Sequence, residues 1–500
     1  MNSKNLERKH LTNKHLTLIL VVVYVLISIY PLFAFLGTLT LRTWDESRLA
    51  ISAYEMSKTG NPIVVTYNYL PDHWSVKPPL TIISQAISIK LFGLNENAVR
   101  LPSAISMVLL GVFIILLTGK LNRPWIGFYS SVVIICSKGF YLYHSARTAD
   151  YDAMLIMFMV LYSLLFFVYT EKKEIKYYML FFVALILATL TKGIQALLPL
   201  PFIFIYALFA KQLIGLFKNK FTYIGLGLFV LFIGGYYFGR EIMDNGYLKA
   251  VWENELGGRF SNTLEGHNGG NDFYFLHLQD DLFSYFFWII SFSFVLNLLG
   301  KGKIERRMSL YSFGVALTIF LVITIGKTKL DWYVFPVIPF LAIVLGISFS
   351  TIHHWLLGLN KNKLASSIII LVGFITVFYT PYKEIVTYVY KPVEHPWFYP
   401  YYSRLYTMRK IAKKELVFNR PVVYVNNDNQ QDYLFYIYMM NENGVANERK
   451  DVSKLKTGDI VQVYEPRIEE EIKTRFKYET LYSYVQTKII RLSSEIKDKK

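Results

Sequence analysis

The sequence predicts a polytopic α-helical membrane protein, and three observations carry that reading. The 500-residue chain is 53% hydrophobic and 17% aromatic, with a mean hydropathy of +0.33. Apolar runs with few charges recur from residue 16 to residue 382, each about as long as a ~30 Å hydrocarbon core requires. The short connections between these runs are rich in Lys and Arg, the signature of cytoplasmic loops. The formal net charge of +17 is therefore assigned to membrane topology; membrane lipids are the expected environment and nucleic acid is not a partner.

In chain order, the first run covers residues 16–37. It follows Lys4, Arg8, Lys9 and Lys14, but it is too long for a signal-peptide core and lacks a clear small-residue cleavage site. It is read as an uncleaved first span. Ten more follow: 102–119, 125–144, 153–170, 177–191, 193–210, 221–239, 282–300, 308–326, 333–352 and 364–382. The weakest is 125–144, which contains Lys138. The segment 80–93 is short, carries Lys90 and follows Pro78-Pro79, so an interfacial amphipathic helix is expected there. The single cysteine, Cys136, lies in an apolar run, which leaves no disulfide framework and no CxxC-type metal site.

With the N-terminus inside, segments 1–15, 120–124, 171–176, 211–220, 301–307 and 353–363 are cytoplasmic. They hold 18 Lys or Arg against the four acids Glu7, Glu171, Glu174 and Glu305, an asymmetry that sets the orientation. The outer segments then include a first loop, 38–101, a second large loop, 240–281, and the tail. Domains are expected at 1–382, membrane-embedded, and 383–500, a small outer α/β domain. The tail has strand-like runs at 421–426 and 459–465 and a helical stretch at 431–440.

That orientation gathers the unusual charges on one side. Asp45, Glu46, Arg48 and Lys77 lie in the first loop, and Arg147, Asp150 and Asp152 at the outer end of the third span. Lys192 lies at the next outer turn, Arg259 and His267 in the second large loop, and Lys329 before the tenth span. A single charge at a helix end is ordinarily solvated or snorkelling. Asp45 and Arg48 share a helical face, which keeps a carboxylate ionised as a general base or metal ligand requires; a helix cap with an i,i+3 ion pair explains the same residues. Lys77 before Pro78-Pro79 is a cation on a stiff turn, suited to a phosphate. Asp150 and Asp152 precede a span, where acids also serve as caps. "ELGGRFSNTLEGHNGG" (255–270) is a glycine-rich loop that permits close backbone approach to a ligand. His267 lacks a partner at zinc-ligand spacing.

The motifs "DESRLAISAYEM", "YLPDHWSVKPPLTIISQAISIKLFGLNENAVRLPSAI", "ARTADYDAMLIMF", "TKGIQALLPLP", "GGRF…EGHNGG" and "KTKLDWYVFPVIPFLA" follow one another between residues 40 and 345. In that order they resemble the GT-C-type glycosyltransferases that use a polyprenyl-phosphate-linked sugar. Within these the chain is similar to the aminoarabinose (lipid A) transferases and the protein O-mannosyltransferases. The resemblance implies about 11–13 transmembrane helices, a large first outer loop with interfacial helices and a site on the non-cytoplasmic face of a bacterial inner membrane.

It also implies roles. Asp45 matches the general-base position, with Glu46 beside it. Asp152 matches a second acidic position, with Asp150 as its neighbour. Arg48, Lys77 and Arg259 are expected on the donor phosphate, and Arg147, Lys192, His267 and Lys329 on substrate. No cofactor is demanded, although a divalent metal ion near the carboxylates is compatible with them. The acceptor is a lipid, glycan or protein. A transporter or flippase of a lipid-linked sugar is the alternative of another class, disfavoured because the charges sit at span ends rather than at the midplane.

Overall fold

The computed structural model describes residues 3–141, 144–256, 267, 269–359, 362–425 and 431–496. The helices run α1 (Ser3–Phe33), α2 (Asp45–Thr59), α3 (Leu80–Phe92), α4 (Glu96–Lys120), α5 (Pro124–Ile135), α6 (Asp152–Lys172), α7 (Ile175–Lys192), α8 (Leu200–Phe209), α9 (Leu213–Lys218) and α10 (Lys220–Met243). They continue with α11 (Tyr247–Val251), α12 (Phe273–His277), α13 (Ser284–Leu299), α14 (Lys303–Ile325), α15 (Val337–Leu359), α16 (Lys363–Val389), α17 (Tyr399–Ala412), α18 (Gln431–Glu442) and α19 (Pro466–Arg475). Strands β1 (Thr66–Tyr67) and β2 (Leu70–Pro71) form a small hairpin. Strands β3 (Val422–Val425), β4 (Asn447–Lys450), β5 (Ile460–Val463), β6 (Phe476–Tyr484) and β7 (Thr487–Glu495) form a five-stranded sheet.

Among the described residues eight helices are long and apolar enough to cross a bilayer; Phe273–Leu282 and α13 pass the same test only together, as a pair bent by 113°. All eleven expected spans contain helix, but two fall short of a crossing. In 125–144, α5 stops at Ile135, before the exposed Lys138 and Gly139, and a 3₁₀ turn over Lys138–Tyr141 follows. In 193–210, Gly193 has φ +64° and Pro199 and Pro201 offer no N–H, so a 3₁₀ turn precedes the ten-residue α8. The expected helix at 80–93 is α3, which buries Ile82, Ala86 and Ile89 and exposes Ile87, Leu91 and Phe92.

Contacts divide the chain into two compact units. The larger comprises Met1–Ala34, Gly60–Ser84 and Arg100–Tyr390. Its most extensive helix packing is between α6 and α7 and between α5 and α15. The α6–α7 connection is short because Lys173 takes a left-handed conformation, φ 60°, and its N–H caps Tyr169 O. Glycine lets α5 and α15 meet backbone to backbone. A Cβ at Gly346 would lie 2.7 Å from Ile126 O, and one at Gly127 would lie 2.5 Å from Ile115 Cα of α4.

The smaller unit comprises Phe35–Thr59, Gln85–Val99 and Lys391–Lys500. The tail therefore separates at residue 391, not 383, because α16 runs on to Val389, and it folds together with part of the first loop. Helix α18 packs on α2, with Tyr438 Oη donating to Glu55 Oε1 at 2.9 Å and Tyr436 Oη to Glu96 Oε1 at 2.9 Å. The sheet order is β4-β3-β5-β7-β6; β3 is parallel to both β4 and β5, and the other pairs are antiparallel. Val423, Val461, Val463, Ile468, Ile472, Phe476 and Ile490 form its core.

Candidate active site

The expected site residues are distributed over both units. Asp45 and Glu46 occupy the first turn of α2 in the smaller unit. Trp44 is left-handed, φ 67°, and turns the chain into the helix. Glu46 is buried, 3% exposed, and its Oε2 accepts the N–H of Arg42 at 2.7 Å. That bond holds the helix entry, so Glu46 acts on the backbone while Asp45 is the other acid of the turn. Arg48 lies one turn on, its N–H bonded to Trp44 O at 2.8 Å.

In the larger unit, α6 has 21 residues and α7 has 18, so an antiparallel hairpin of nearly equal arms returns the chain to the level where it began. This puts Asp152, at the N-terminus of α6, against Lys192, at the C-terminus of α7. Lys192 Nζ donates to Asp152 Oδ1 and Oδ2, both at 2.7 Å. Each charge also suits its helix end. The pair is almost fully enclosed, with side chains 4% and 3% exposed, and the Tyr333 ring faces Lys192 at 5.9 Å. Desolvating two charges is expensive. Two apolar residues would pack there without that cost, so stability alone does not account for the pair.

Asp150 has a different environment. Its Oδ2 bonds to His144 Nδ1, and its Oδ1 accepts the Tyr151 N–H at 2.6 Å. Burial opposes its charge, but the adjacent His144, with Lys192 beyond, wins and holds the carboxyl well below the usual range. The His144 ring stacks on Trp332, centroids 3.5 Å apart. Within this unit His144 and Asp150 are two side chains with the donor chemistry for a divalent metal.

Lys77, on the stiff Pro78-Pro79 turn, lies 3.5 Å from Glu255 and 5.4 Å from the centre of the Tyr151 ring. Glu255 sits on a single π-helical turn, Trp252–Leu256, just before the glycine-rich stretch. Such turns recur at functional positions.

Arg147 and Lys329 are engaged with helix ends. Arg147 donates to the carbonyls of Pro31, Leu32 and Ala34 at 2.8, 3.2 and 2.7 Å, capping α1. Burial, and then Arg100, bring its pKa down to about 10, which leaves it charged at neutral pH. Lys329 Nζ donates to Ile323 O at 3.2 Å and to Thr324 O, capping α14. Lys329 N–H also donates to His267 O at 3.0 Å, and His267 is exposed. Arg259 lies outside the described residues.

Two cavities adjoin the buried pair. One, of about 390 Å³, is lined by Asp152, Gln195, Glu255, Thr328, Tyr333 and apolar side chains. The other, of about 440 Å³, has Lys77 and Lys192 on its wall and Phe229, Ile233, Leu197 and Val251 around it. Ile194 and Glu255 line both. Both linings are mostly apolar, the first carrying more polar groups than the second, and Asp152 lines the first while Lys192 lines the second. His144, Glu255 and Tyr333 adjoin these groups and were not singled out by sequence reasoning. Glu255 and Tyr333 stand in motifs quoted above and His144 just before one, but only the fold shows what each faces.

Solved structures of ArnT from Cupriavidus metallidurans, bound to undecaprenyl phosphate and in the apo state, superpose with TM-scores of 0.69 and 0.67. Each alignment covers 94% of this chain and 97% of the other at 16% identity. The chain has the GT-C glycosyltransferase fold. The family described as dolichyl-phosphate-mannose-protein mannosyltransferase matches residues 76–235, a stretch of the GT-C fold that holds Lys77, Arg147, Asp150, Asp152 and Lys192 but not Asp45.

Among curated proteins, an uncharacterized protein of Aquifex aeolicus is 29% identical over 313 residues, 60% of this chain and 58% of its own length. The undecaprenyl phosphate-alpha-4-amino-4-deoxy-L-arabinose arabinosyl transferase of Shewanella sediminis is 25% identical over 341 residues, 66% of this chain and 59% of its own. The alignments thus span under two thirds of these relatives. A GT-C fold similar to the aminoarabinose transferases, in an integral membrane protein, is what the sequence resemblance anticipated.

Proposed function

We propose that this protein is a membrane glycosyltransferase that moves a sugar from a polyprenyl-phosphate donor to a hydroxyl or phosphate acceptor. The acceptor is a lipid-anchored or envelope glycan at the non-cytoplasmic face of the bacterial inner membrane. The observation that carries this reading is the enclosed Asp152–Lys192 pair, whose carboxylate lines one cavity and whose ammonium lines the other. The more apolar cavity suits the isoprenoid next to its phosphate, and the cavity with Asp152, Gln195 and Thr328 suits a sugar.

In this mechanism Asp45 takes the proton of the acceptor O–H as its oxygen bonds to the anomeric carbon. The bond from that carbon to the phosphate oxygen breaks, and the electron pair leaves with the lipid phosphate. Lys77, with Arg48 and Arg259 by resemblance, stabilises that charge where it develops. Attack opposite the leaving group inverts the anomeric centre. Asp152 contacts the sugar, and Lys192, donating to both its oxygens, fixes the carboxyl group in place. Arg147 and Lys329 serve by holding helix ends, and His267 remains a substrate contact by sequence position.

The experiment is transfer by the purified full-length protein, in nanodiscs, from a panel of undecaprenyl-phosphate sugars to membrane glycolipid acceptors. Release of undecaprenyl phosphate with labelled glycolipid is the expected result; no transfer from any donor defeats the reading. The match to a protein mannosyltransferase family supports a second acceptor class, and label appearing in protein instead of glycolipid identifies it.

Glu255 yields a separate expectation. Its carboxylate faces the Lys77 ammonium, so a donor phosphate competes with it. Glu255→Gln should tighten undecaprenyl phosphate binding about fivefold, equivalent to about 1 kcal/mol. Equilibrium binding in nanodiscs checks this, and the gain should vanish in a Lys77→Met background.

A further inference from the structure

The tail sheet contains a notch that the transfer reaction does not use. Strands β3 and β5 are parallel neighbours, Val422 opposite Ile460. The chain leaves β3 through α18 to β4 on one side and leaves β5 through α19 to β6 on the other. Connections that diverge in this way open a crevice at the carboxyl ends of the two strands, where open α/β sheets hold ligands. The notch is there, about 60 Å³, bordered by Val425, Gln462, Tyr464 and Glu465 from the strand ends, with Arg404 of α17 and Tyr433 of α18.

Its floor is polar and incompletely bonded. Arg404 and Gln462 are 5% and 8% exposed, and Arg404 Nε and Gln462 Oε1 have no hydrogen-bond partner among the described residues. Buried polar atoms are nearly always satisfied, so an unpaired donor and an unpaired acceptor in one notch point to a partner from outside. Tyrosines surround them. The Arg404 guanidinium lies 4.6 Å from the Tyr401 ring centre and 5.4 Å from that of Tyr464, and these two rings meet edge to face.

The chemistry selects the ligand class. The Arg404 charge is already matched by Asp432, which accepts from Nη2 at 2.9 and 3.0 Å. Glu465 adds a negative group to the lining. An anion therefore gains little there. A neutral polyhydroxylated ring offers hydroxyls that donate to Gln462 Oε1 and accept from Arg404 Nε, and C–H faces that cover tyrosine. We propose that the tail domain binds a neutral sugar residue of a glycan by one ring edge in this notch. Binding here is independent of transfer, so it is measured directly whether or not the proposed reaction holds.

The test uses the full-length protein in lipid nanodiscs, because maltoside detergents are themselves sugars. Saturation-transfer NMR with maltotriose, mannotriose, lactose and chitotriose is compared with inorganic phosphate. Saturable binding of at least one neutral saccharide is expected, weakened about tenfold in Gln462→Met and in Tyr464→Ser. The unfolding temperature and undecaprenyl phosphate binding should be unchanged in Gln462→Met, which decides the matter if Tyr464→Ser perturbs the tail fold. No saccharide binding, equal binding by Gln462→Met, or displacement of the saccharide by phosphate overturns the proposal.

Discussion

Lys192→Met should abolish sugar transfer and lower the stability of the larger unit by about 3–5 kcal/mol, the range for removing one partner of a buried ion pair. The stability loss arises because the Asp152 carboxylate, 2% exposed, would stay enclosed without the ammonium that donates to both its oxygens. The double substitution Asp152→Leu/Lys192→Met separates the two effects. It leaves no orphan charge, so much of the thermal stability should return while transfer stays absent. Unfolding temperatures and transfer rates, measured side by side, check this. Activity surviving in the double variant would remove the pair from the reaction.

Asp45→Asn should lower transfer by about 10²–10⁴-fold, the usual contribution of a positioned general base, with little change in folding. Asparagine keeps the size of aspartate and an oxygen that accepts hydrogen bonds, and the bond from Arg42 N–H to Glu46 at this turn is untouched. Donor binding by Asp45→Asn should match that of the unaltered protein, because the carboxylate is assigned to the acceptor proton. Full transfer activity in this variant would falsify the role. Glu46→Gln serves as the contrast: its effect should fall on the unfolding temperature more than on the rate.

The membrane fold was legible because hydrophobic run length is read directly against bilayer thickness. Its errors were local, and each has a breaker behind it: Lys138 and Gly139 after α5, and Gly193 with Pro199 before α8. In the tail, β3, β5 and α18 were visible as apolar runs. The edge strand β4, "NERK", and the hairpin β6–β7 were not, since polar and tyrosine-rich strands lack a clear apolar alternation.

Site residues were legible as chemistry but not as pairs. Asp152 and Lys192 stand 40 positions apart, and only the nearly equal arms of the α6–α7 hairpin bring them together. Arg147 read as a substrate cation because its partners, the last carbonyls of α1, lie more than a hundred residues away in sequence.

Helix α5 has a consequence for how the protein meets its bilayer. At 12 residues it is about 18 Å long, well under the ~30 Å of hydrocarbon, yet eleven of those residues are buried. Its surroundings are therefore neighbouring helices, α4 and α15 among them, and its short length is not an adaptation to hydrophobic mismatch. The apolar faces of α10 and α16 are exposed along their length, from Ile224 to Phe238 and from Ile368 to Tyr379. Changes in lipid chain length accordingly act on α10 and α16, while α5 is insulated from them.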